Sequence, residues 1–242
     1  MTKTVTDIYS DIIDATSNFA EMNGRYAVQA DAEAKIYRDV IKKLDLQKSD
    51  NLLEIGCGVG SLLVPLSEYV NSVTGIDNER ALNVIHERTQ SDNISLIPGI
   101  FPDVTLNRTY KKILIYGVVL YMKTKEDLWK FIDAAMALLE PNGCMLIGDI
   151  TTSEKKKRFN ESQRGKVFAK EWTKMVANNT GADIVRSTEV YLEFNDELLA
   201  EIFLYFRNAG LNSFVLPQPT DLPFGNTRED LLIFGSEYAN SL

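Results

Sequence analysis

Hydrophobic and polar positions in the central part of the chain follow two alternating patterns. Short apolar runs typical of buried strands occur at 51–55, 72–77, 94–98, 111–117 and 144–150. Helical patterns separate some of them, at 61–70, 79–89 and 125–140, and the last is expected to stop at Pro141-Asn142-Gly143. Because strands separated by helices form right-handed crossovers, the pattern predicts a mostly parallel sheet.

The two ends of the chain depart from this rhythm. The pattern of residues 1–50 predicts helices. Within this segment, the stretch from Ala27 to Leu46 has apolar residues at near-helical spacing. Near the other end, a helix at 195–210 precedes two strands, at 211–217 and 230–236. The segment between these strands is short and rich in proline and glycine, so it cannot hold a crossover helix. The two strands should therefore pair as an antiparallel hairpin.

Composition and charge exclude several classes of protein. Hydrophobic residues make up 45% of the 242 residues and charged residues 25%, which is normal for a folded globular protein. The polar N-terminus lacks the apolar core of a secretory signal, and no apolar run approaches the roughly 20 residues of a membrane span. The net charge of −8 argues against a general nucleic-acid binder. Two cysteines form no disulfide framework, which favours the cytoplasm.

Histidine and cysteine offer few sites for chemistry. His86 is the single histidine, so the sequence excludes a metal site that needs two histidines, and no metal site is expected. His86 lies in the middle of a helical segment, where a surface position is the ordinary interpretation. Cys57 has no neighbouring base in the sequence and suits a crowded loop by its small size, and Cys144 suits a core strand.

The stretch with the clearest chemical meaning is Leu52-Leu53-Glu54-Ile55-Gly56-Cys57-Gly58-Val59-Gly60. A glycine-rich turn between a strand and a helix lets the backbone approach a nucleotide-like ligand. The second strand ends in Asp77, whose carboxylate can accept hydrogen bonds from both hydroxyls of a ribose. The dinucleotide fingerprint would need a third glycine at the position of Ser61, which disfavours that class of cofactor.

In these features the chain resembles the class I S-adenosylmethionine-dependent methyltransferases of the small-molecule type. The resemblance covers about residues 35–236 and rests on the E-x-G-x-G-x-G loop, on Asp77, on the Pro-Asn-Gly turn and on the final hairpin. It implies an α/β fold with a Rossmann-like, seven-stranded, mostly parallel sheet whose final strand is antiparallel. Helices would cover both faces, and the N-terminal helices and a helical insert would form a cap. The implied cofactor is S-adenosyl-L-methionine.

The resemblance also implies roles for individual residues toward the cofactor. Glu54 would orient the loop and help hold the methionine ammonium, and Asp77 would bind the ribose hydroxyls. Family members often carry an acid after the third strand, where this chain has Ile100. The remaining positions would contact different parts of the cofactor. Gly56, Cys57, Gly58 and Gly60 would pass beneath it, and Asn78, Ile100 and Phe101 would lie around the adenine. The backbone of Tyr116 and Gly117 would lie along the methionine.

Two residues are candidates for contact with the methyl acceptor. Methyl transfer is an in-line displacement on a sulfonium, so the protein mainly aligns the reactants and excludes water. Asp149 ends the fifth strand, where ligands gather in open α/β sheets, and is predicted to act as a base or to bind the substrate. Tyr121 would face the acceptor and polarise the nucleophile or stack on it. Capping for Asp149 and plain packing for Tyr121 remain the alternatives.

Two flanking segments are expected to cover the site. Tyr9, Arg25 and Tyr26 lie in the N-terminal part that commonly forms a lid in such enzymes. The stretch 155–174 contains eight basic residues against two acidic ones, beginning with Lys155, Lys156, Lys157 and Arg158. This charge is interpreted either as a solvated helix face or as a cap that meets an anionic substrate.

The sequence therefore predicts one methyltransferase domain over residues 1–242, composed of a helical segment (1–46), a cofactor-binding core (47–150), a helical cap insert (151–194), and a C-terminal helix and hairpin (195–242). It would methylate an oxygen or nitrogen of a small-molecule acceptor. The segment 222–230 resembles methyltransferases encoded with bacterial surface-polysaccharide pathways, which suits an anionic or sugar-linked acceptor. The alternatives are a non-catalytic cofactor-binding protein and, with less support, a dinucleotide-dependent oxidoreductase. A nucleic-acid methyltransferase is disfavoured by the charge.

Overall fold

A seven-stranded sheet with the order β3-β2-β1-β4-β5-β7-β6 forms the centre of the computed structural model, which describes residues 4–177 and 191–238. The strands are β1 (Asn51–Ile55), β2 (Ser72–Asp77), β3 (Ile94–Pro98), β4 (Tyr110–Tyr116), β5 (Leu139–Thr151), β6 (Asn212–Pro217) and β7 (Arg228–Phe234). Strands β1 to β5 pair in parallel, while β7 is antiparallel to both β5 and β6. The predicted sheet and its closing hairpin are confirmed.

Ten α-helices surround the sheet in the described ranges. They are α1 (Val5–Ala15), α2 (Phe19–Met22), α3 (Ala30–Glu33), α4 (Ile36–Leu44), α5 (Leu63–Ser67), α6 (Glu79–Arg88), α7 (Lys125–Ala137), α8 (Ser153–Glu161), α9 (Gln163–Val176) and α10 (Asp196–Asn208). Short 3₁₀ turns occupy Ala27–Gln29 and Val119–Tyr121.

Helices cover both faces of the sheet, so side chains on both sides of each central strand are buried and apolar. Successive side chains of a strand point to opposite faces. Leu53 accordingly packs in a core cluster with Phe131 of α7 and Ile202 of α10. Its neighbour Leu52 packs in a second cluster with residues of α4, α5 and α6. Burial on both faces explains why these strands read as continuous apolar runs rather than as alternating ones.

The segment from Ala27 to Leu46 is helical, as its apolar spacing predicts, but it is divided into three short pieces. The segment forms a 3₁₀ turn at Ala27–Gln29, then α3 and then α4. The buried side chain of Gln29 accepts a hydrogen bond from the Tyr26 N–H at 3.1 Å and donates to the Pro223 carbonyl at 2.7 Å. These two bonds fix the chain against a distant loop, so tertiary contacts override the local helical pattern here.

The sequence predicted that the helix at 125–140 would end at Pro141-Asn142-Gly143, and this prediction is wrong. Helix α7 ends at Ala137, and Pro141 to Gly143 lie inside β5, which begins at Leu139. The carbonyls of Pro141 and Gly143 accept hydrogen bonds of 2.8 Å each from the backbone after β7. The turn residues are therefore absorbed into the exposed start of a strand, where a missing proline N–H costs little.

The insert predicted as a cap over 151–194 is helical in its first part. It contains α8 and α9, and residues 178–190 lie outside the described residues. Trp172 of α9 packs edge-on against Tyr26, with 5.1 Å between ring centroids. The insert thus packs against the N-terminal segment of the chain.

Candidate functional site

A cavity of about 360 Å³ lies where the carboxyl ends of β1, β2, β4 and β5 meet. Of the residues that the sequence predicted for the site, ten line this cavity: Glu54, Gly56, Cys57, Gly58, Asp77, Asn78, Tyr116, Gly117, Tyr121 and Asp149. Residues between 5 and 36, here called the roof, line its other side. Residues that are far apart in sequence therefore share one enclosed space.

Three predicted site residues do not lie on the cavity wall. Gly60 has a φ of 79°, and a Cβ there would lie 2.8 Å from Ile85 of α6, so its smallness serves helix packing. The side chain of Ile100 is 59% exposed. Phe101 is buried against Phe131, with 5.1 Å between ring centroids. The structure therefore gives Gly60 and Phe101 packing roles.

The glycine loop needs its glycines for backbone conformation and for space. Gly56 has a φ of 75° and Gly58 one of 53°, a region that side chains with a Cβ rarely adopt. A Cβ on Gly56 would come within 2.4 Å of Val118, and one on Gly58 within 2.9 Å of Asn23. The Gly56 N–H also donates to the carbonyl of Ile76 at 2.9 Å, which ties the loop to β2.

The carboxylate of Asp77 organises the loop from the end of β2. Its Oδ2 accepts a hydrogen bond from the Gly58 N–H at 2.7 Å. Its Oδ1 accepts from the backbone and the side-chain amide of Asn78, at 2.7 and 2.8 Å. Burial raises the pKa of Asp77, and these hydrogen bonds oppose the rise. A carboxylate has about four acceptor positions, so Oδ2 keeps capacity for a further donor such as a hydroxyl.

Glu54 contributes a buried acid to the cavity with an oxygen left over. The residue is 3% exposed, and its Oε2 has no hydrogen-bond partner in the described part of the chain. Burial, followed by the nearby charge of Asp77, raises the pKa of Glu54 well above its ordinary value. An unpartnered acid facing a cavity fits a cationic ligand group such as an ammonium, which would restore its hydrogen bond and favour its charged form.

Asp149 reaches the cavity through a bulge in β5. The register between β5 and β7 shifts between Ile147 and Ile150, and Asp149 has a φ of 62°. Aspartate tolerates this left-handed conformation better than most residues. The Asp149 N–H donates to Oδ1 of the buried Asp230 at 2.9 Å, which holds the bulge. Strained backbone held by its surroundings is typical of functional sites.

Two arginines surround the Asp149 carboxylate: Arg25, which the sequence predicted only as part of the cover, and Arg228, whose pairing no local pattern indicated. Arg25 of the roof donates to Oδ2 at 2.7 Å, and Nε of Arg228 lies 3.5 Å from Oδ1. Although burial opposes its charge, the ion pair with Asp149 raises the pKa of Arg25. Both guanidinium groups lie over the ring of Phe224, at 5.1 Å from its centroid. The Asp149 carboxylate is therefore occupied by ion pairs.

Two tyrosines meet at the cavity between the roof and the core. The hydroxyls of Tyr9 and Tyr121 are 2.5 Å apart, and their rings are nearly perpendicular. Burial raises the pKa of both residues, so both hydroxyls stay protonated near neutral pH. Each can donate one hydrogen bond and accept others. Tyr121 thus lies at the cavity as predicted, with Tyr9 as its partner.

The roof is fastened to the glycine loop by one amide. The Asn23 side chain donates to Oγ of Ser61 at 2.6 Å and to Oε1 of Glu33 at 2.7 Å. Burial raises the pKa of Glu33, whose second oxygen has no partner among the described residues. Arg25, Tyr9 and the buried Tyr26 line the cavity, which agrees with the covering role predicted for the N-terminal segment.

The basic stretch 155–174 does not contribute to the cavity wall, contrary to its interpretation as an anion-binding cap. Lys155 donates to the carbonyl of Arg228 at 2.8 Å and lies 3.3 Å from the Glu229 carboxylate. Arg158 pairs with Asp196 at 2.5 Å. Two of its first four cations therefore serve internal pairs, which charge counting along a sequence cannot show.

Histidine and cysteine carry no separate site in the described ranges. His86 is exposed at the end of α6. No cluster of potential metal ligands occurs among the described residues. No described helix has the length and apolar character that crossing a membrane requires.

Cys57 is expected to resist alkylation in the folded protein. It is 4% exposed, and burial raises its pKa well above the ordinary value, so the reactive thiolate is scarce. Treatment with iodoacetamide at pH 8, followed by mass spectrometry, should modify neither Cys57 nor the buried Cys144 until denaturant is added. Rapid modification of Cys57 in the native protein would contradict this description of the loop.

The fold is Rossmann-like, and its cavity beside the glycine loop has a form suited to a nucleotide-type cofactor. Residues 52–143 match the family model described as "Methyltransferase domain". This segment is therefore similar to a methyltransferase domain, as the resemblance implied, and S-adenosylmethionine is the cofactor that such a domain implies.

Similar proteins agree with this family. A probable cobalt-precorrin-6B C(15)-methyltransferase (decarboxylating) from Saccharolobus solfataricus is 32% identical over 120 residues, which cover 46% of this chain and 57% of that protein. A probable ribosomal RNA small subunit methyltransferase A from Methanothermobacter thermautotrophicus is 34% identical over 61 residues, 25% of this chain and 22% of that protein. The chain thus spans little more than half of the first relative.

Among solved structures, the N-methyltransferase NodS from Bradyrhizobium japonicum WM9, in complex with S-adenosyl-L-homocysteine, superposes with a TM-score of 0.63. The match covers 97% of this chain and 100% of that chain at 14% identity. At this identity the likeness concerns the fold, and it extends over nearly the whole chain.

Proposed function

We propose that this protein transfers a methyl group from S-adenosylmethionine to an oxygen or nitrogen of a small-molecule acceptor. The observation that carries the proposal is a covered cavity that joins the glycine loop and Asp77 to Asp149 and Tyr121. A cofactor held at the loop would point its methionine end toward these two residues. A covered cavity of this size suits a small acceptor better than a folded nucleic acid.

The residues of the cavity support one orientation of the cofactor. Glu54 would receive the methionine ammonium, since its buried Oε2 lacks a partner in the described part of the chain. The close-approach backbone at Gly58 and the free capacity of Asp77 would hold the ribose. Asn78 would contact the adenine, and Tyr116 and Gly117 would flank the methionine. When bound, the cofactor supplies an activated methyl group with its own leaving group.

At the reacting end, the protein is expected to position the acceptor rather than to bind it tightly. Because Asp149 is held in ion pairs with Arg25 and Arg228, it would fix the charged wall of the site. The protonated Tyr121 and Tyr9 hydroxyls can donate to, or accept from, a hydroxyl or amine of the acceptor. Alignment of the reacting atoms and exclusion of water would then supply most of the catalysis.

The acceptor is proposed to be a sugar-linked or otherwise polar metabolite of surface-polysaccharide biosynthesis. This assignment rests on the segment 222–230, whose sequence resembles methyltransferases of those pathways. In the structure, Phe224 and Arg228 of this segment line the cavity. The segment is therefore in a position to select the acceptor.

Calorimetric titration tests the cofactor half of the proposal. S-adenosylmethionine and S-adenosylhomocysteine are expected to bind with one site per chain, and NAD is expected not to bind. Turnover against a panel of nucleotide sugars, amines and an rRNA fragment then tests the acceptor half. Binding of NAD alone would support the oxidoreductase alternative, and methylation of the RNA alone would overturn the small-molecule assignment.

Removing one hydroxyl tests the reacting end of the cavity. The variant Tyr121→Phe keeps the ring but loses the hydrogen bond to Tyr9, and turnover of the acceptor found in the panel should fall about tenfold. Affinity for S-adenosylhomocysteine, measured by calorimetry, should stay within about twofold. Tyr205→Phe is the matched control, because that hydroxyl bonds Asp133 at the surface. Equal turnover in the two variants would show that Tyr121 only packs.

A further inference from the structure

The order of the strands gives the cavity two ends. Asp77 ends β2, the glycine loop follows β1, and Gly117 follows β4, so these three neighbouring strands carry the proposed cofactor contacts. Asp149 lies in β5 and Arg228 begins β7, at the next two places in the sheet. Four strand spacings separate β2 from β7, a distance of about 19 Å. The β5–β7 end is therefore left for the acceptor.

At this end, two guanidinium groups share one carboxylate. Arg25 forms a hydrogen bond of 2.7 Å with Asp149, whereas Nε of Arg228 is 3.5 Å away and makes no such bond. That Nε atom is buried without a hydrogen-bond partner in the described part of the chain. A buried donor without an acceptor is costly, so its persistence calls for a ligand that supplies one.

The two guanidinium groups are held in place before any ligand binds. The ring of Phe224 lies against both of them, 5.1 Å from each. The backbone of Arg228 is fixed by the bond from Lys155 to its carbonyl. A planar guanidinium fixed in this way presents paired donors that match a carboxylate or a phosphate.

The other acids near this end are engaged elsewhere. Glu33 is held by Asn23 on the side of the glycine loop. Asp230 accepts hydrogen bonds from Lys43, Gln218 and the backbone of Asp149. Glu33 still favours the charge of Arg25 from a distance, but among the described residues Asp149 is the acid in direct contact with both arginines.

We propose that Arg228, together with Arg25, binds an anionic group of the methyl acceptor, a carboxylate or a phosphate. Asp149 is the positioning residue that holds the two guanidinium groups apart and oriented. The identification of this ligand as the acceptor rests on the proposed function. The methionine carboxylate of the cofactor has the same chemistry, but Arg228 begins β7, three places in the sheet from β1, which carries the glycine loop.

Titration of small anions into the full chain tests the site without knowledge of the acceptor. Inorganic phosphate and acetate are titrated calorimetrically, with and without saturating S-adenosylhomocysteine, into wild type, Arg228→Gln and Lys157→Gln. Wild type should bind at least one of the anions saturably in both conditions, and Arg228→Gln should weaken it about tenfold or more. Lys157→Gln, which removes an exposed cation of α8, should behave as wild type.

Each outcome decides one of the two proposals. Absence of saturable anion binding, or equal binding by Arg228→Gln with an unchanged melting curve, overturns the anion site. A third outcome is that S-adenosylhomocysteine abolishes anion binding and itself binds Arg228→Gln ten times more weakly. This outcome assigns the arginines to the cofactor and overturns their role toward the acceptor. If S-adenosylhomocysteine does not bind wild type, the proposed function is overturned. The anion site is still supported in that case if wild type binds the anion and Arg228→Gln does not.

Discussion

Replacing Asp77 by alanine is expected to weaken S-adenosylhomocysteine binding by about ten- to a hundredfold. The change removes a charged acceptor for a ribose hydroxyl, and such a hydrogen bond contributes about 1.5–3 kcal/mol. It also removes the acceptor of the Gly58 N–H and of the Asn78 amide, so the loop loses one of its bonds to the end of β2. Calorimetric titration measures the loss.

A matched control separates loss of the site from loss of any surface acid. Asp103→Ala removes an exposed aspartate in the loop after β3 and should bind S-adenosylhomocysteine as wild type does. Circular dichroism should show that both variants are folded. Wild-type affinity in a folded Asp77→Ala protein would remove the proposed cofactor orientation.

The second large effect is expected in stability rather than in binding. Asp230 is fully buried, pairs with Lys43 at 2.6 Å, and accepts hydrogen bonds from Gln218 and from the Asp149 backbone. Asp230→Ala leaves these donors without their shared acceptor, and loss of one partner of a buried pair typically costs about 3–5 kcal/mol. Urea denaturation should show this decrease in the free energy of unfolding.

The control for this variant is an ion pair of the same kind at the surface. Lys35 and Asp221 are 3.1 Å apart but largely exposed, so Asp221→Ala should leave the unfolding free energy close to wild type. If Asp230→Ala were equally harmless, the pair of Lys43 with Asp39 would be sufficient to hold that lysine.

The strands could be read from the sequence because burial on both faces leaves a simple signature. The predicted bounds of β1, β2 and β3 agree with the structure. Tertiary contacts defeated the prediction elsewhere. The hydrogen bond from Gln29 to Pro223 joins residues 194 positions apart, at the 3₁₀ turn where the helical segment 27–46 is divided. Pairing with the backbone after β7 likewise draws Pro141 into a strand.

In the candidate site, too, some residues could be predicted from the sequence and others could not. The glycine loop and Asp77 are close in sequence and have a fixed spacing, so a local pattern reveals them. Arg25 and Asp149 are 124 positions apart, and the bulge that turns Asp149 toward the cavity depends on Asp230, so no local pattern reveals this pair. The basic insert failed as an indicator because a charge count does not tell which cations are paired internally.

The roof has a consequence for the kinetics of the proposed reaction. Asn23, Arg25 and Tyr9 each bond a core residue at the cavity rim, namely Ser61, Asp149 and Tyr121. If the cofactor is held beneath them, its release would require these three bonds to part, so product release and opening of the N-terminal segment would occur together. Where such opening is slower than chemistry, it sets the steady-state rate. The first turnover after mixing would then be faster than all later ones.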